Sequence, residues 1–166
     1  MAVAARPRQP APTARLPLDE KRREAVVRAL QSTLFELIDL GLQTKHAHWN
    51  VVGPLFHPIH ELLDEFYEQH QEWSDQVAER MRALGAAVDG RTAAVGRESP
   101  LKELPVSAIR DADVVAAMLE RVGTVATNTR QRMEGLGDAD SVTENLLQEI
   151  VLGLEKQLWM LRVQTE

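Results

Sequence analysis

The chain is predicted to be all-α, a four-helix bundle with a long crossover between its second and third helices. Three observations carry this. Apolar residues recur at three- and four-residue steps along four separate stretches. The composition, dominated by Leu, Ala, Val, Glu and Arg, favours helix over sheet. No strand pattern competes, and a length of 166 residues suits one domain with a sizeable core.

The first helix is expected over about 18–51. Its apolar stripe is Val26, Leu30, Leu34, Leu37, Ile38 and Leu42, and Asp19 and Glu20 suit the positive end of its dipole. Gly53-Pro54 breaks the pattern. The second helix starts near Pro58, a good first-turn residue, and runs to about 84 before Gly85. Ile59, Leu63, Phe66, Trp73, Val77, Met81 and Leu84 form its stripe. Residues 85–110, with Gly85, Gly90, Gly96, Pro100 and Pro105, read as the link, with one short helix at 99–104. The third helix, about 111–134, carries Val114, Met118, Val122, Val125 and Met133, and Gly135 and Gly137 end it. Ser141-Val-Thr-Glu144 has the form of a capping box opening the fourth helix. Leu147, Ile150, Val151, Leu154, Leu158 and Leu161 follow, and this helix is expected to run nearly to the last residue. The close joins between first and second and between third and fourth helices make each pair antiparallel. The link is long enough to run the length of the bundle.

Residues 1–17, MAVAARPRQPAPTARLP, stand apart from the bundle domain at 18–166. Their Ala, Pro and Arg content reads as a flexible arm, inert or polyanion-binding, with Arg6, Arg8 and Arg15 its only charged side chains. The net charge of −6 gives the body no overall attraction to nucleic acid. The absence of cysteine removes disulfides, thiolate metal sites and thiol catalysis, leaving His and carboxylate as ligands. No apolar run is long enough to span a membrane, and the N-terminus lacks the apolar middle of a signal peptide. A cytoplasmic location is therefore expected.

Chemistry concentrates in TKHAHWNVVGPLFHPIHELLDEF, residues 44–66, which holds His46, His48, His57 and His60. On a wheel of the second helix, His60, Asp64, Asp75 and Glu79 share an arc roughly 150° from the centre of the apolar stripe. They point away from the chain's own core. His60 and Asp64 lie one turn apart, as do Asp75 and Glu79, so each pair can share a metal ion. Asp64 and Asp75, however, are separated by about 16 Å of helix, and ligand bonds are only about 2 Å. One ion cannot touch both pairs on one helix. Two arrangements remain at this point. The arc is a solvated acidic face, or a second copy lies antiparallel across a two-fold axis near Gln69 and His70. In the latter, His60 and Asp64 of one chain face Asp75 and Glu79 of the other. His48 would complete each site from the corner between the first two helices, and imidazole with carboxylates suits iron or a similar divalent metal. His46 and His48 cannot both point into one site, so His46 is expected to be exposed. His57 reads as a helix-entry residue and His70 as a packed, hydrogen-bonded core histidine.

These residues resemble a family: Dps, the DNA-binding proteins from starved cells, or miniferritins, with a ferritin-like four-helix bundle. The likeness runs through Ile38-Asp39-Leu40, Thr44-Lys45-His46-Ala47-His48-Trp49-Asn50, Gly53, Phe56, His60-Glu61-Leu62-Leu63-Asp64-Glu65-Phe66 and Asp75-Gln76-Val77-Ala78-Glu79-Arg80. It continues more weakly through Pro100-Leu101-Lys102 and Leu158-Trp159, covering about residues 20–162. The resemblance implies that His48, His60, Asp64, Asp75 and Glu79 are ferroxidase ligands, the last two from the two-fold partner. It implies a hollow homododecamer that oxidises ferrous iron, preferably with hydrogen peroxide, and stores ferric mineral. Zinc or manganese suits the same donors. Trp49 aligns with a tryptophan beside the family's iron centre, and Glu68 and Glu72 are expected to help nucleate mineral. Asp138, Asp140 and Glu144 fall where the family places acidic three-fold pores; ordinary capping acids are the other reading. Non-specific DNA binding through Arg6, Arg8 and Arg15, with association to the nucleoid, is the family-derived expectation for the arm. Twelve displayed arms would add avidity. Two further readings stand beside iron storage: a cage that chiefly compacts DNA, and an ordinary bundle with a solvated acidic face.

Overall fold

A computed structural model describes residues 18–165. Arg6, Arg8 and Arg15 lie outside the described residues. Five α-helices are present: α1 Glu20–Asn50, α2 Phe56–Ala83, α3 Thr92–Glu98, α4 Asp111–Leu136 and α5 Ser141–Arg162. Asp19 caps α1, its carboxylate accepting from the Arg22 amide at 2.9 Å. The long helices pack through the expected stripes, and Leu30, Leu37, Ile59, Leu63, Phe66, Met81, Met118, Leu147, Ile150 and Leu154 are fully buried. At about 25 cal/mol per Å² of apolar area, this shared core is what holds α1 on α2 and α4 on α5. Leu42 departs from the prediction: it is exposed, on the outer side of α1.

Several boundaries differ from the sequence reading, each for a local reason. The short helix of the link is α3 at Thr92–Glu98, while residues 99–104 are not helical. Pro100 cannot supply an amide to continue a helix, and Ser99 before it is extended, as pre-proline residues prefer. Ser141 is the first residue of α5 rather than its cap; the cap position belongs to Asp140. A bridge of two strands, β1 Val51–Val52 and β2 Ile109–Arg110, pairs in parallel with Val51 opposite Ile109. Two-residue strands leave no periodicity to read. This bridge sets the topology. It places the start of α4 at the end of the bundle where α1 ends and α2 begins, so the link must travel the full bundle length. Gly53, at φ +136°, makes the α1–α2 corner possible, because a Cβ there would strike the Asp111 carboxylate. That carboxylate in turn accepts from the Leu55 amide at 2.8 Å.

His70 is packed and hydrogen-bonded, as expected. It is completely buried; its Nε2–H donates to Gln157 Oε1 at 2.9 Å, and Gln157 Nε2 donates on to Gln69 Oε1. Burial holds its pKa down at about 4, with the Gln157 bond opposing the shift more weakly. The unfolded chain, with an ordinary value near 6.5, binds this proton first. Its contribution is therefore complete above about pH 6.5, falls as pH drops, and is lost by about pH 4, roughly 3 kcal/mol in all. Urea unfolding of wild type and His70→Gln at pH 7, 5.5 and 4 checks this. The variant is expected to show a shallower decline; identical slopes would contradict it.

Candidate metal centre

The corner between α1 and α2 aligns two imidazoles. His48 Nδ1 donates to the backbone carbonyl of His60 at 2.8 Å, and His60 Nδ1 donates to the carbonyl of His48 at 2.9 Å. A carbonyl can only accept, so both rings carry a proton on Nδ1, and in the neutral tautomer Nε2 is the nitrogen left with a lone pair. The rings stack with centroids 3.6 Å apart and planes 17° from parallel, and Phe56 lies 5.0 Å from the His60 ring. The His48 carbonyl belongs to the last turn of α1, where no helical amide remains to bond it. The same bond thus finishes the helix end and orients a donor. His48 is buried at 7% exposure.

Asp64 sits one turn beyond His60, with an oxygen 4.0 Å from His48 Nδ1. Lys45 ion-pairs with that carboxylate and holds its pKa below the ordinary range. The ammonium also stands over the Tyr67 ring, 5.1 Å from its centroid. Lys45 was not singled out from the sequence as a site residue. The available signal was its position three residues before His48, on the adjoining face of α1.

Asp75 and Glu79 are exposed on α2, as are Glu68 and Glu72. Among the described residues, no three His, Asp or Glu side chains of one chain converge to hold a metal ion. The structure brings the His48 and His60 rings together, sets Asp64 beside His48 in an ion pair with Lys45, and leaves Asp75 and Glu79 farther along the same helix. The other expectations divide. His46 is half-buried rather than exposed, because its Nε2 donates to the Pro105 carbonyl at 3.0 Å. His57 is exposed and faces Glu61 at 3.4 Å. Trp49 is 69% exposed and, with Leu42, His46, Leu104 and Val106, lines an open groove of about 360 Å³.

Of the three acids considered for a pore, Asp138 is exposed and Glu144 half-buried. Asp140 is already engaged, with Arg80 at 2.6 Å and the Thr143 hydroxyl as partners. Burial pushes its pKa up, but the Thr143 and Arg80 hydrogen bonds outweigh that and hold the carboxyl below its ordinary range. Its charge ties α2 to the start of α5.

Comparison with known proteins places the fold. The Ferritin family model, a ferritin-like domain, matches residues 27–166. The chain is 43% identical over 136 residues to DNA protection during starvation protein 2 of Deinococcus radiodurans; the match covers 82% of this chain and 56% of that protein, so it spans little more than half of it. It is 35% identical to the DNA protection during starvation protein of Agrobacterium fabrum, covering 90% of this chain and 93% of that one. The structure of Dps from Mycobacterium smegmatis superposes with a TM-score of 0.87 at 34% identity, covering 91% and 92% of the two chains.

The Lys45–Asp64 pair gives a testable consequence. Lys45 competes with a divalent ion for the same carboxylate. As both groups are partly exposed, solvent screening keeps the competition weak. Lys45→Ala should bind Zn2+ a fewfold more tightly by titration calorimetry at pH 7. Weaker binding would show that Lys45 supports the site rather than opposing it.

Proposed function

Since the chain belongs to the Dps family of ferritin-like proteins, we propose that it oxidises ferrous iron at sites shared between two copies and stores the ferric product inside a homododecamer. The observation that carries this reading is the pair of cross-bonded imidazoles. Two rings oriented through Nδ1, with Asp64 4.0 Å from His48 Nδ1, offer part of a donor set, and α2 holds further carboxylates of matching kind beyond the reach of the same ion. A second α2 running antiparallel supplies Asp75 and Glu79 to His48, His60 and Asp64, and by symmetry this happens twice per dimer.

In this reading iron is the substrate. The five donors bind ferrous iron, and their carboxylates offset its charge. Hydrogen peroxide takes one electron from each of two ferrous ions and two protons from solvent, giving two ferric ions and two waters. Paired delivery of electrons avoids release of hydroxyl radical. Neutral imidazoles locked through Nδ1 need no reorientation on binding. Trp49 borders the same surface and fills the interface or intercepts stray oxidising equivalents. Glu68 and Glu72, exposed on α2, offer carboxylates on which ferric product hydrolyses. Asp138 and Glu144 remain the acids for iron entry, with Asp140 serving their helix start.

Ferrous oxidation driven by peroxide, corrected for the uncatalysed reaction, tests the site. His60→Ala/Asp64→Ala should lose more than about tenfold in rate, while Glu61→Ala, outside the arc, should not. An unchanged rate in the double variant would remove the assignment. Non-specific DNA binding through the arginine arm is the second part of the reading, suited to multivalent display. A gel shift at low salt should weaken on deletion of residues 1–17 and fade steeply as salt rises. Equal retardation of both proteins would exclude the arm.

A further inference from the structure

We propose that Arg121 is a positioning residue for the shared site, acting through the link between α2 and α4. This rests on the reading that a second copy supplies Asp75 and Glu79. Arg121 is only 5% exposed, on α4. Its guanidinium donates to Gln43 Oε1 at 2.7 Å, to the Ala117 carbonyl at 2.8 Å, and to the carbonyls of Lys102 and Glu103 at 2.7 and 3.3 Å. No carboxylate lies within hydrogen-bond distance; Glu120 is 4.0 Å away. A buried guanidinium satisfied by carbonyl dipoles is a fastener for backbone, here the irregular segment after α3. The remaining contacts extend the same seam. Gln43 donates to Asp39, Asp39 accepts from the Ser99 hydroxyl, and His46 donates to the Pro105 carbonyl. Residues 99–105 are thereby stitched to the outer side of α1.

What the seam holds in place is an apolar lip. Val106 follows it at 96% exposure, and Leu104 lies beneath. Together they wall the groove whose other side is Leu42 and Trp49. Taken around α1 in steps of about 100°, the order is His48, Lys45, Trp49, Leu42, His46, Asp39, Gln43. On this wheel Trp49 of the groove is next to Lys45, the partner of Asp64, so groove and candidate site occupy adjoining sectors of α1. The site is incomplete without a second copy, so that copy is the occupant the surface fits. As it brings Asp75 and Glu79 to His48, it covers Trp49 and seats against Val106. Loss of the Arg121 clamp frees the lip and leaves two link carbonyls without donors. The cost appears as weaker pairing of copies and, through it, weaker metal binding.

The experiment compares wild type, Arg121→Met, Arg121→Lys and Val106→Asp as full chains. Light scattering gives mass, calorimetry gives Zn2+ affinity, both across protein concentration, and circular dichroism reports helicity. Arg121→Met and Val106→Asp should keep the helical spectrum, form smaller assemblies at low concentration, and bind Zn2+ at least tenfold more weakly. Both defects should recede as concentration rises, which a damaged fold would not do. Arg121→Lys should fall between. Should Arg121→Met fail to fold, Val106→Asp decides, because an almost fully exposed side chain has no part in the chain's own core. Wild-type mass and Zn2+ affinity in a folded Arg121→Met, or in Val106→Asp, would overturn the proposal alone. A wild-type chain that stays monomeric at every concentration would overturn the shared-site reading and this proposal with it.

Discussion

The rigidity of α2 governs the rest of the structure. A continuous helix fixes its residues at about 1.5 Å per step, so Asp64 and Asp75 stay about 16 Å apart whatever the side chains do. The same helix buries Ile59, Leu63, Phe66, Val77 and Met81 on its opposite side. Its acids therefore cannot turn inward without pulling the core apart. An ion bound to one end of this arc must find its remaining partners outside the chain. Assembly is thus a geometric requirement of the proposed chemistry rather than an addition to it.

The corner at the end of α1 answers that constraint from the other side. Helix ends leave carbonyls without partners, and here the His60 imidazole takes the one at His48. His48 returns the bond to the first turns of α2. Gly53 lets the chain turn tightly enough for this exchange, and Asp111 occupies the space a side chain would need. The two-residue bridge then ties the corner to the start of α4. Folding energy and ligand orientation are drawn from the same few contacts, so the donors are held in place before any ion arrives.

Much of this was legible in the sequence because helical periodicity encodes it directly. The stripe from Ile59 to Leu84 located α2, and the wheel separated His60, Asp64, Asp75 and Glu79 from it. Asp75 and Glu79 are exposed, in keeping with that separation, although their role as ligands is still a proposal. What the sequence hid are tertiary partners with no period. From the sequence Asp140 is open between pore and capping acid, and Arg80, sixty positions earlier, carries no periodic signal as its counterion. His46 read as exposed because the link that covers it has no regular pattern. The short helix was misplaced for the opposite reason. Thr92–Glu98 contains Gly96 and only a brief apolar run, and its stability comes from packing Ala94 and Val95 rather than from propensity. The Ser141 capping box failed by one residue, where Asp140 with its two partners is the stronger anchor.

The buried polar groups explain why metal chemistry belongs on the outer face. Inside the bundle, His70 meets an amide and a hydroxyl, and no carboxylate. A divalent cation there would be a buried charge without compensation, which low dielectric makes prohibitive. The one buried carboxylate between α1 and α4, Glu36, is taken by Arg132 and Asn128. Arg121 is spent on link carbonyls. Most of these internal polar groups thus fix one element against another; the buried Thr129 hydroxyl, without a hydrogen-bond partner among the described residues, is an exception. Uncommitted lone pairs and carboxylates lie on the surface at the α1–α2 corner and along α2. A site built there stays open to solvent and to Lys45 until a second copy covers it. In the proposed assembly, closing the interface would complete the ligand shell and lower the dielectric around it in one step, so iron would be held most tightly by the paired copies.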